Sequence, residues 1–133
     1  MKIIVCTDNS NGMMFGGKRQ SQDSVLRKKI LEIIGQNRLF MSEYSSKQFD
    51  KHENIHVCND FFKKATDKDF CFTEDISVPS DSVNEIYLFR WNRDYPADVY
   101  FDIDLKKNFK KISTEDFEGS SHKKITLEIY ARR

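Results

Sequence analysis

The sequence predicts an α/β protein built on a single mixed β-sheet flanked by helices, and three observations support this. In the first half, short apolar runs alternate with helical patterns, which is the rhythm of parallel βαβ units. From Glu85 onward, apolar runs follow one another without helices, as in an antiparallel sheet. The 133 residues contain no internal repeat or linker, and this length suits one core. We therefore expect residues 1–133 to form a single domain.

The charge balance and the cysteine content indicate which binding partners and which cellular compartment to expect. The 22 Lys and Arg nearly balance the 21 Asp and Glu, so no strong positive field attracts nucleic acid or anionic lipid. No apolar run approaches the roughly 18 residues that span a bilayer. Cys6, Cys58 and Cys71 are odd in number and lack close pairing, which predicts reduced, buried thiols. We expect a cytoplasmic protein that binds neither nucleic acid nor membrane, and the oligomeric state is left open.

The first strand is predicted at Lys2 to Thr7, a run with β-branched residues that leads into a turn-rich segment ending at Gly12. A loop is expected through Gly16-Gly17. The strongest helical pattern follows, with Ser21 as the N-cap and Gly35 as the stop signal. Its apolar residues recur at helical spacing: Val25, Leu26, Ile30, Ile33 and Ile34.

The remaining elements are short. Apolar runs predict first-half strands at Leu39 to Met41, Ile55 to Cys58 and Asp69 to Thr73. Possible caps predict short helices at Ser45 to Asp50 and from Asn59 through Ala65. In the second half, strands are predicted at Ile86 to Phe89, Val99 to Phe101, Phe109 to Ile112 and Lys124 to Tyr130. The last two should form an antiparallel hairpin.

The segment from Gly12 to Lys18 has the glycine spacing of a phosphate-binding P-loop between a strand and a helix. Arg19 stands where that motif needs a Ser or Thr hydroxyl for magnesium, and no downstream strand ends in a magnesium-binding Asp. We interpret the segment as a flexible glycine loop rather than a nucleotide triphosphatase site.

The residues His52 to His56 match H-E-x-x-H, which binds zinc when a helix places both imidazoles on one face. Here the flanks are polar before and strand-like after, and no third ligand is identifiable. We predict a solvated connection between a helix and a strand, and no metal site.

Asp23 falls in the first turn of the strongest predicted helix, where the helix dipole and free N–H groups favour a carboxylate. Arg27 lies one turn later and is expected to pair with it. The alternative is functional, since a carboxylate beside a glycine loop can bind a protonated heterocycle or manage its proton. Ser120-Ser121-His122 is interpreted as a turn without catalysis, because a hydrolase triad also needs an orienting acid and an oxyanion site.

The stretch from Tyr87 to Phe101 resembles the segment of dihydrofolate reductases that leads into a strand with an Asp-x-x-Phe signature, here Asp98 to Phe101. Phe109 to Ile112, Ser121-His122 and Leu127 to Arg132 are similar to that family's terminal hairpin, with a Ser-His before the last strand. The resemblance implies a dihydrofolate-reductase-like fold and an NADPH-dependent reductase. It also implies that Asp23 is the catalytic carboxylate and that a ligand is bound by Ile4, Cys6, Met13, Met14, Arg27 and Phe89.

The chain departs from that family where the cofactor would bind. Ser42 to Ser45 replace a Gly-Arg-x-Thr stretch that holds cofactor phosphates, and Glu43 would repel a phosphate. Thr73 to Asp75 replace a Gly-Gly pair, adding two carboxylates, and the helix that follows is reduced to a loop around Pro79. Dinucleotides are held by backbone amides, helix N-termini and cations, so these replacements should remove most affinity for NADPH.

Three hypotheses follow. The first is a protein that keeps the scaffold and binds a small heterocyclic or nucleotide-like ligand near Asp23 without hydride transfer. The second is an NADPH-dependent reductase of a pterin-like substrate with an altered cofactor site. The third is an interaction or regulatory protein that uses an exposed sheet edge, or Trp91 and Tyr95. Short bacterial proteins of this kind are also associated with the label ribonuclease Z, but three His cannot build its dinuclear zinc site.

Overall fold

The computed structural model describes residues 1–75 and 79–133, and its centre is the apolar strand β1 (Lys2–Thr7) of a seven-stranded sheet. This strand pairs in parallel with two other strands of the chain. The parallel part of the sheet contains β4 (Leu39–Met41), β5 (Ile55–Val57), β6 (Phe70–Phe72) and β7 (Glu85–Arg90), in the spatial order β5-β4-β6-β1-β7. The parallel strands bring their carboxyl ends to one edge of the sheet.

The other side of the sheet is antiparallel. Strand β10 (Ile125–Arg132) pairs with β7, and β9 (Phe109–Phe117) pairs with β10 and forms the edge. The predicted mixed sheet and its C-terminal hairpin are therefore confirmed. Strand β9 continues well beyond the predicted end at Ile112, because exposed polar residues pair along the edge without an apolar pattern.

Helix α1 (Ser24–Ile34) covers one face of the sheet with Leu26, Ile30 and Ile34 buried, and Gly35 ends it with a positive φ of 56°. The N-cap is Asp23, whose side chain accepts hydrogen bonds from two backbone N–H groups of the helix. The predicted cap at Ser21 is therefore wrong by two residues.

The short helices differ from prediction because several residues compete to cap them. Helix α2 (Glu43–Ser46) is capped by Ser42 and ends well before Asp50. Asn59 caps no helix, since its side chain accepts the Glu43 N–H, and the helical turn after it is a 3₁₀ segment, Phe61–Lys63. Two further segments were not predicted, the 3₁₀ turn Ser80–Ser82 and helix α3 (Leu105–Asn108).

A small second sheet accompanies the main one and was not anticipated. It contains β2 (Gly12–Phe15), β3 (Lys18–Arg19) and β8 (Val99–Tyr100). Gly16 and Gly17 have φ values of 60° and 76°, as the two central residues of a tight hairpin require. The predicted glycine loop is thus a β-hairpin, and the P-loop spacing arises from its turn.

Two layers of apolar side chains pack on the two faces of the main sheet. One layer lies between the sheet and α1 and includes Ile4, Phe89 and Trp91. The other lies under the small sheet and includes Met13 and Met14. No helix within residues 1–75 and 79–133 is long and apolar enough to cross a membrane.

We expect Phe89→Ala to lower the free energy of unfolding by about 3–5 kcal/mol, because it leaves a cavity beneath α1. Phe89 is fully buried and packs edge-on against Phe117. Urea denaturation followed by circular dichroism measures the change. Ile112→Ala is the control, since Ile112 is 58% exposed and its loss should cost no more than about 0.5 kcal/mol. Equal losses in the two variants would contradict this assignment of the core.

Candidate functional site

The candidate site lies where the carboxyl ends of β1, β6 and β7 face the start of α1, which is where ligands enter open α/β sheets. Cys6, Met13, Asp23, Leu26, Phe72 and Trp91 line a cavity there, together with polar residues from the neighbouring segments. Its volume is about 10 Å³, roughly the space for one water molecule. The space beside the predicted carboxylate is therefore filled by side chains.

An ion pair between Arg19 and Glu74 forms one wall of this cavity. The guanidinium donates to both Glu74 oxygens, at 2.9 Å from Nε and 3.2 Å from Nη2. Ser45 Oγ and Gln48 Nε2 donate to the same carboxylate at 2.8 Å and 3.2 Å. The Arg19 guanidinium also stacks on the Tyr44 ring at 4.3 Å from its centroid. This ion pair connects the hairpin β2–β3 to the segment that follows β6 in the main sheet.

The Asp23 carboxylate is almost completely buried and accepts hydrogen bonds at both oxygens. Oδ1 accepts the N–H groups of Val25, Leu26 and Ser120 at 2.9–3.2 Å. Oδ2 accepts Ser121 N–H and His122 Nδ1, both at 2.9 Å, and the Ser121 hydroxyl at 3.3 Å. A carboxylate has about four lone-pair sites, so Asp23 has no capacity left for a ligand.

These contacts also favour the ionised form of Asp23. Burial alone would raise its pKa, but the hydrogen bonds from Ser121, His122, Ser120 and Leu26 outweigh burial and hold the pKa well below its usual range. Asp23 is therefore ionised at neutral pH, and it is a poor group for giving or taking a proton.

His122 is the partner of Asp23 that sequence reasoning missed. It is 4% exposed, its ring stacks on Trp91 with centroids 4.5 Å apart, and its Nε2 lies 2.9 Å from Ser21 Oγ. His122 was interpreted as a turn residue because no acid that could orient it was identifiable nearby in the sequence. The acid is Asp23, which lies 99 residues earlier. No local sequence signal could have linked the two.

The structure separates the residues that the resemblance placed around a ligand. Cys6, Met13 and Asp23 line the small cavity. Ile4, Met14 and Phe89 are buried in the apolar layers. Arg27 does not pair with Asp23, as had been expected, because its guanidinium donates to Gln22 Oε1 on the outer side of α1.

The three cysteines are free thiols, and only Cys71 is fully buried. Cys6 and Cys58 are partly exposed, contrary to the predicted burial. Cys6 lines the small cavity, where desolvation of the thiol and the nearby Glu74 carboxylate raise its pKa, although Arg19 opposes them. The thiol at the cavity is therefore protonated and a weak nucleophile.

A larger groove of about 240 Å³ lies on the outer side of α1, between this helix and the segment from Phe49 to His52. Its floor contains Leu31 and Phe49, and Phe49 packs edge-on against Phe72. Its walls carry Arg27, Lys28, Lys51 and His52 against the single carboxylate of Asp50. Apolar floor and excess positive charge together suit a small anionic molecule with a planar part.

The region that would hold a nicotinamide dinucleotide does not suit one. A surface depression of about 430 Å³ is lined by Ser42, Glu43, Tyr44, Lys47, Asn59 and Asp75. It presents two carboxylates and one ammonium, and Ser42 Oγ already caps α2. Glu74, which lies in the stretch where the resemblance expects a Gly-Gly pair, is buried and paired with the partly exposed Arg19. The residues present therefore do not fit NADPH.

Two further sequence patterns have definite positions. His52 lies in a turn, where its Nδ1 accepts the Asn54 N–H, whereas His56 lies in β5 and its ring contacts Phe40. The H-E-x-x-H residues are thus not on one helix face. Trp91 is 3% exposed, so it is unavailable as the anchor for a protein partner that the third hypothesis invoked, whereas the edge of β9 is exposed.

Comparisons with known proteins support the fold alone. No family model and no curated protein matches the sequence. Among solved structures, dihydrofolate reductase from Enterococcus faecalis complexed with NADP(H) and RAB-propyl superposes with a TM-score of 0.70. The sequence identity is 13%, over 99% of this chain and 95% of that chain. The fold is therefore dihydrofolate-reductase-like, and the comparisons give no support to the label ribonuclease Z.

We expect Asp23→Asn to lower the free energy of unfolding by about 3 kcal/mol, because the buried His122 and Ser121 donors would lose their charged acceptor. Asp104→Asn is the matched control. Asp104 also caps a helix, but it is exposed and accepts only two backbone N–H groups. Asn caps as well as Asp, so this control should change stability by less than about 0.5 kcal/mol. Similar small effects in both variants would show that Asp23 is merely a cap.

The same carboxylate should make stability depend on acid pH. The folded pKa of Asp23 lies below its unfolded value, which is about 3.9. Its stabilisation is therefore full above that unfolded value and is lost as pH falls towards the folded pKa. Chemical denaturation from neutral pH down to about pH 2 should show a steeper loss below about pH 4 for the wild type than for Asp23→Asn. Parallel curves would contradict the assigned shift.

Proposed function

We propose that this dihydrofolate-reductase-like chain binds a small anionic heterocyclic or nucleotide-like ligand and does not transfer hydride. The observation that carries the proposal is the groove beside α1. One end of this groove is formed by Ser24, the residue after Asp23, and its lining includes the cationic side chains of Arg27, Lys28 and Lys51. Of the residues expected to bind a ligand, Arg27 is the one that lies in this groove.

The chemistry of the groove defines the ligand class. A guanidinium and two ammonium groups favour a carboxylate or phosphate, and Arg can bind either in a bidentate manner. Phe49 and Leu31 offer an apolar surface for a ring. The volume of this groove, about 240 Å³, suits a small molecule rather than a dinucleotide.

Two features of the described residues support the absence of hydride transfer. Both Asp23 oxygens accept hydrogen bonds from protein donors. A protonated heterocycle would have to displace these donors and leave them without acceptors, which is energetically unfavourable. The Arg19–Glu74 ion pair lines the small cavity and would obstruct a nicotinamide ring that approached Asp23 from that side. A reductase that binds its cofactor in an altered pose would need both the hydrogen bonds to Asp23 and the Arg19–Glu74 ion pair to break.

Calorimetric titration of the full chain with folate, AMP and NADPH tests this proposal. We expect folate or AMP to bind, and Arg27→Gln to weaken that binding by about tenfold, equivalent to about 1.4 kcal/mol. Raising the salt concentration should weaken it further. Lys110→Gln is the control, since it removes the same charge from an exposed position on β9.

Three results would contradict the proposal. These are equal affinities in Arg27→Gln and Lys110→Gln, failure of both anionic probes to bind, and NADPH-dependent reduction of dihydrofolate by the wild-type chain. The last result would favour the reductase hypothesis. In that case Arg19→Ala should change the KM for NADPH, because Arg19 closes the cavity.

A further inference from the structure

Ser21, His122 and Asp23 form a hydrogen-bonded chain that the proposed ligand groove does not use. Ser21 Oγ lies 2.9 Å from His122 Nε2, and His122 Nδ1 lies 2.9 Å from Asp23 Oδ2. Asp23 and His122 are buried, whereas Ser21 is partly exposed. A nucleophile, a base and an orienting acid in hydrogen-bond reach of one another are the geometric signature of an activated serine.

The protein fixes the tautomer that such a site needs. An ionised carboxylate can only accept, so Nδ1 of the neutral imidazole carries the hydrogen and Nε2 presents its lone pair to Ser21. Trp91 stacks on one face of the ring, and Tyr95 Oη lies 3.5 Å from Nε2. Asp23 keeps its charge because backbone N–H groups of Leu26, Ser120 and Ser121 also donate to it. The imidazole is therefore held ready to take the Ser21 proton.

Two neighbouring features are compatible with acyl transfer. Among residues 1–75 and 79–133, the backbone N–H groups of Ser21 and Gln22 have no acceptor, so they are available to an oxyanion. The cavity of about 10 Å³ is lined by both residues and by Gln20. The buried Gln20 Oε1 has no partner in the described chain, and it can hold one water molecule there.

Ser21 itself is partly exposed, and an open depression of about 570 Å³ lies beside its hydrogen-bond partner. His122 itself lines it, together with Arg93, Ser120, Ser121 and Lys123. The inner cavity has room for about one water molecule, so a substrate must approach Ser21 from its exposed side, and only a small acyl group can lie against it.

We propose that Ser21 is the nucleophile of an esterase site for short-chain carboxylic esters, with His122 as its base and Asp23 as the positioning acid. Ser21 Oγ bonds to the acyl carbon while its proton passes to His122 Nε2. The ester C–O bond then breaks, and the alcohol leaves with that proton. Water next gives a proton to Nε2 and its oxygen to the acyl carbon. The carboxylic acid departs and Ser21 recovers its proton, so the enzyme is regenerated.

Covalent labelling of the full chain with a fluorophosphonate tests this directly. Ser21 Oγ should displace fluoride from phosphorus, and peptide mass spectrometry should locate the adduct on Ser21. Hydrolysis of p-nitrophenyl acetate should accompany the labelling. Ser21→Ala should abolish both signals. His122→Asn should slow labelling by at least about a hundredfold, because the base is lost.

The matched control is Ser113→Ala. Ser113 is an exposed serine on β9 whose side chain has no hydrogen-bond partner in the described residues, so this variant should label at the wild-type rate. Circular dichroism establishes that Ser21→Ala is folded, which is expected because it loses a single partly exposed hydroxyl. The proposal is overturned if the native chain is labelled no faster than the heat-unfolded chain, or if Ser21→Ala hydrolyses the ester at the wild-type rate. Because Arg27 takes no part, failure here leaves the ligand groove untouched.

Discussion

The buried carboxylate of Asp23 is the interaction on which the arrangement of this end of the molecule depends. It accepts hydrogen bonds from the first turn of α1 and from the segment Ser120 to His122, which lies 97–99 residues later in the chain. An ionised group in a low-dielectric interior is tolerated only when it is thoroughly hydrogen-bonded. Gly119 shows how tight the arrangement is, since a Cβ at that position would overlap the carboxylate.

The second constraint is the Arg19–Glu74 pair, which converts an open end of the sheet into a packed wall. A bidentate pair of this kind fixes geometry more reliably than it adds stability. With Ser45 and Gln48 donating to the same carboxylate, the hairpin, α2 and the end of β6 meet at one point. The end of the sheet beside the small cavity is thus occupied by a hydrogen-bond network.

These two networks are distinct from the apolar layers that hold the sheet together. The sheet rests on apolar side chains such as Ile4 and Phe89, which need only the right size and burial. Fold similarity at 13% identity therefore carries no reaction with it.

The local sequence pattern by itself determined β1, α1, β4 and the strand at Ile86 to Phe89, because hydrophobic periodicity and a glycine stop are properties of neighbouring residues. The mixed sheet with its terminal hairpin followed from the order of those elements. The position of the α1 cap did not follow, since Ser21 and Asp23 are both capable of capping.

Only the tertiary structure decided between Ser21 and Asp23, by bringing Ser120, Ser121 and His122 against the carboxylate. It also turned Arg27 outward and placed Glu74 on Arg19 rather than in solvent. Each of these choices depends on charges and donors that lie far apart in sequence, and their partners become known only when the sheet brings them together.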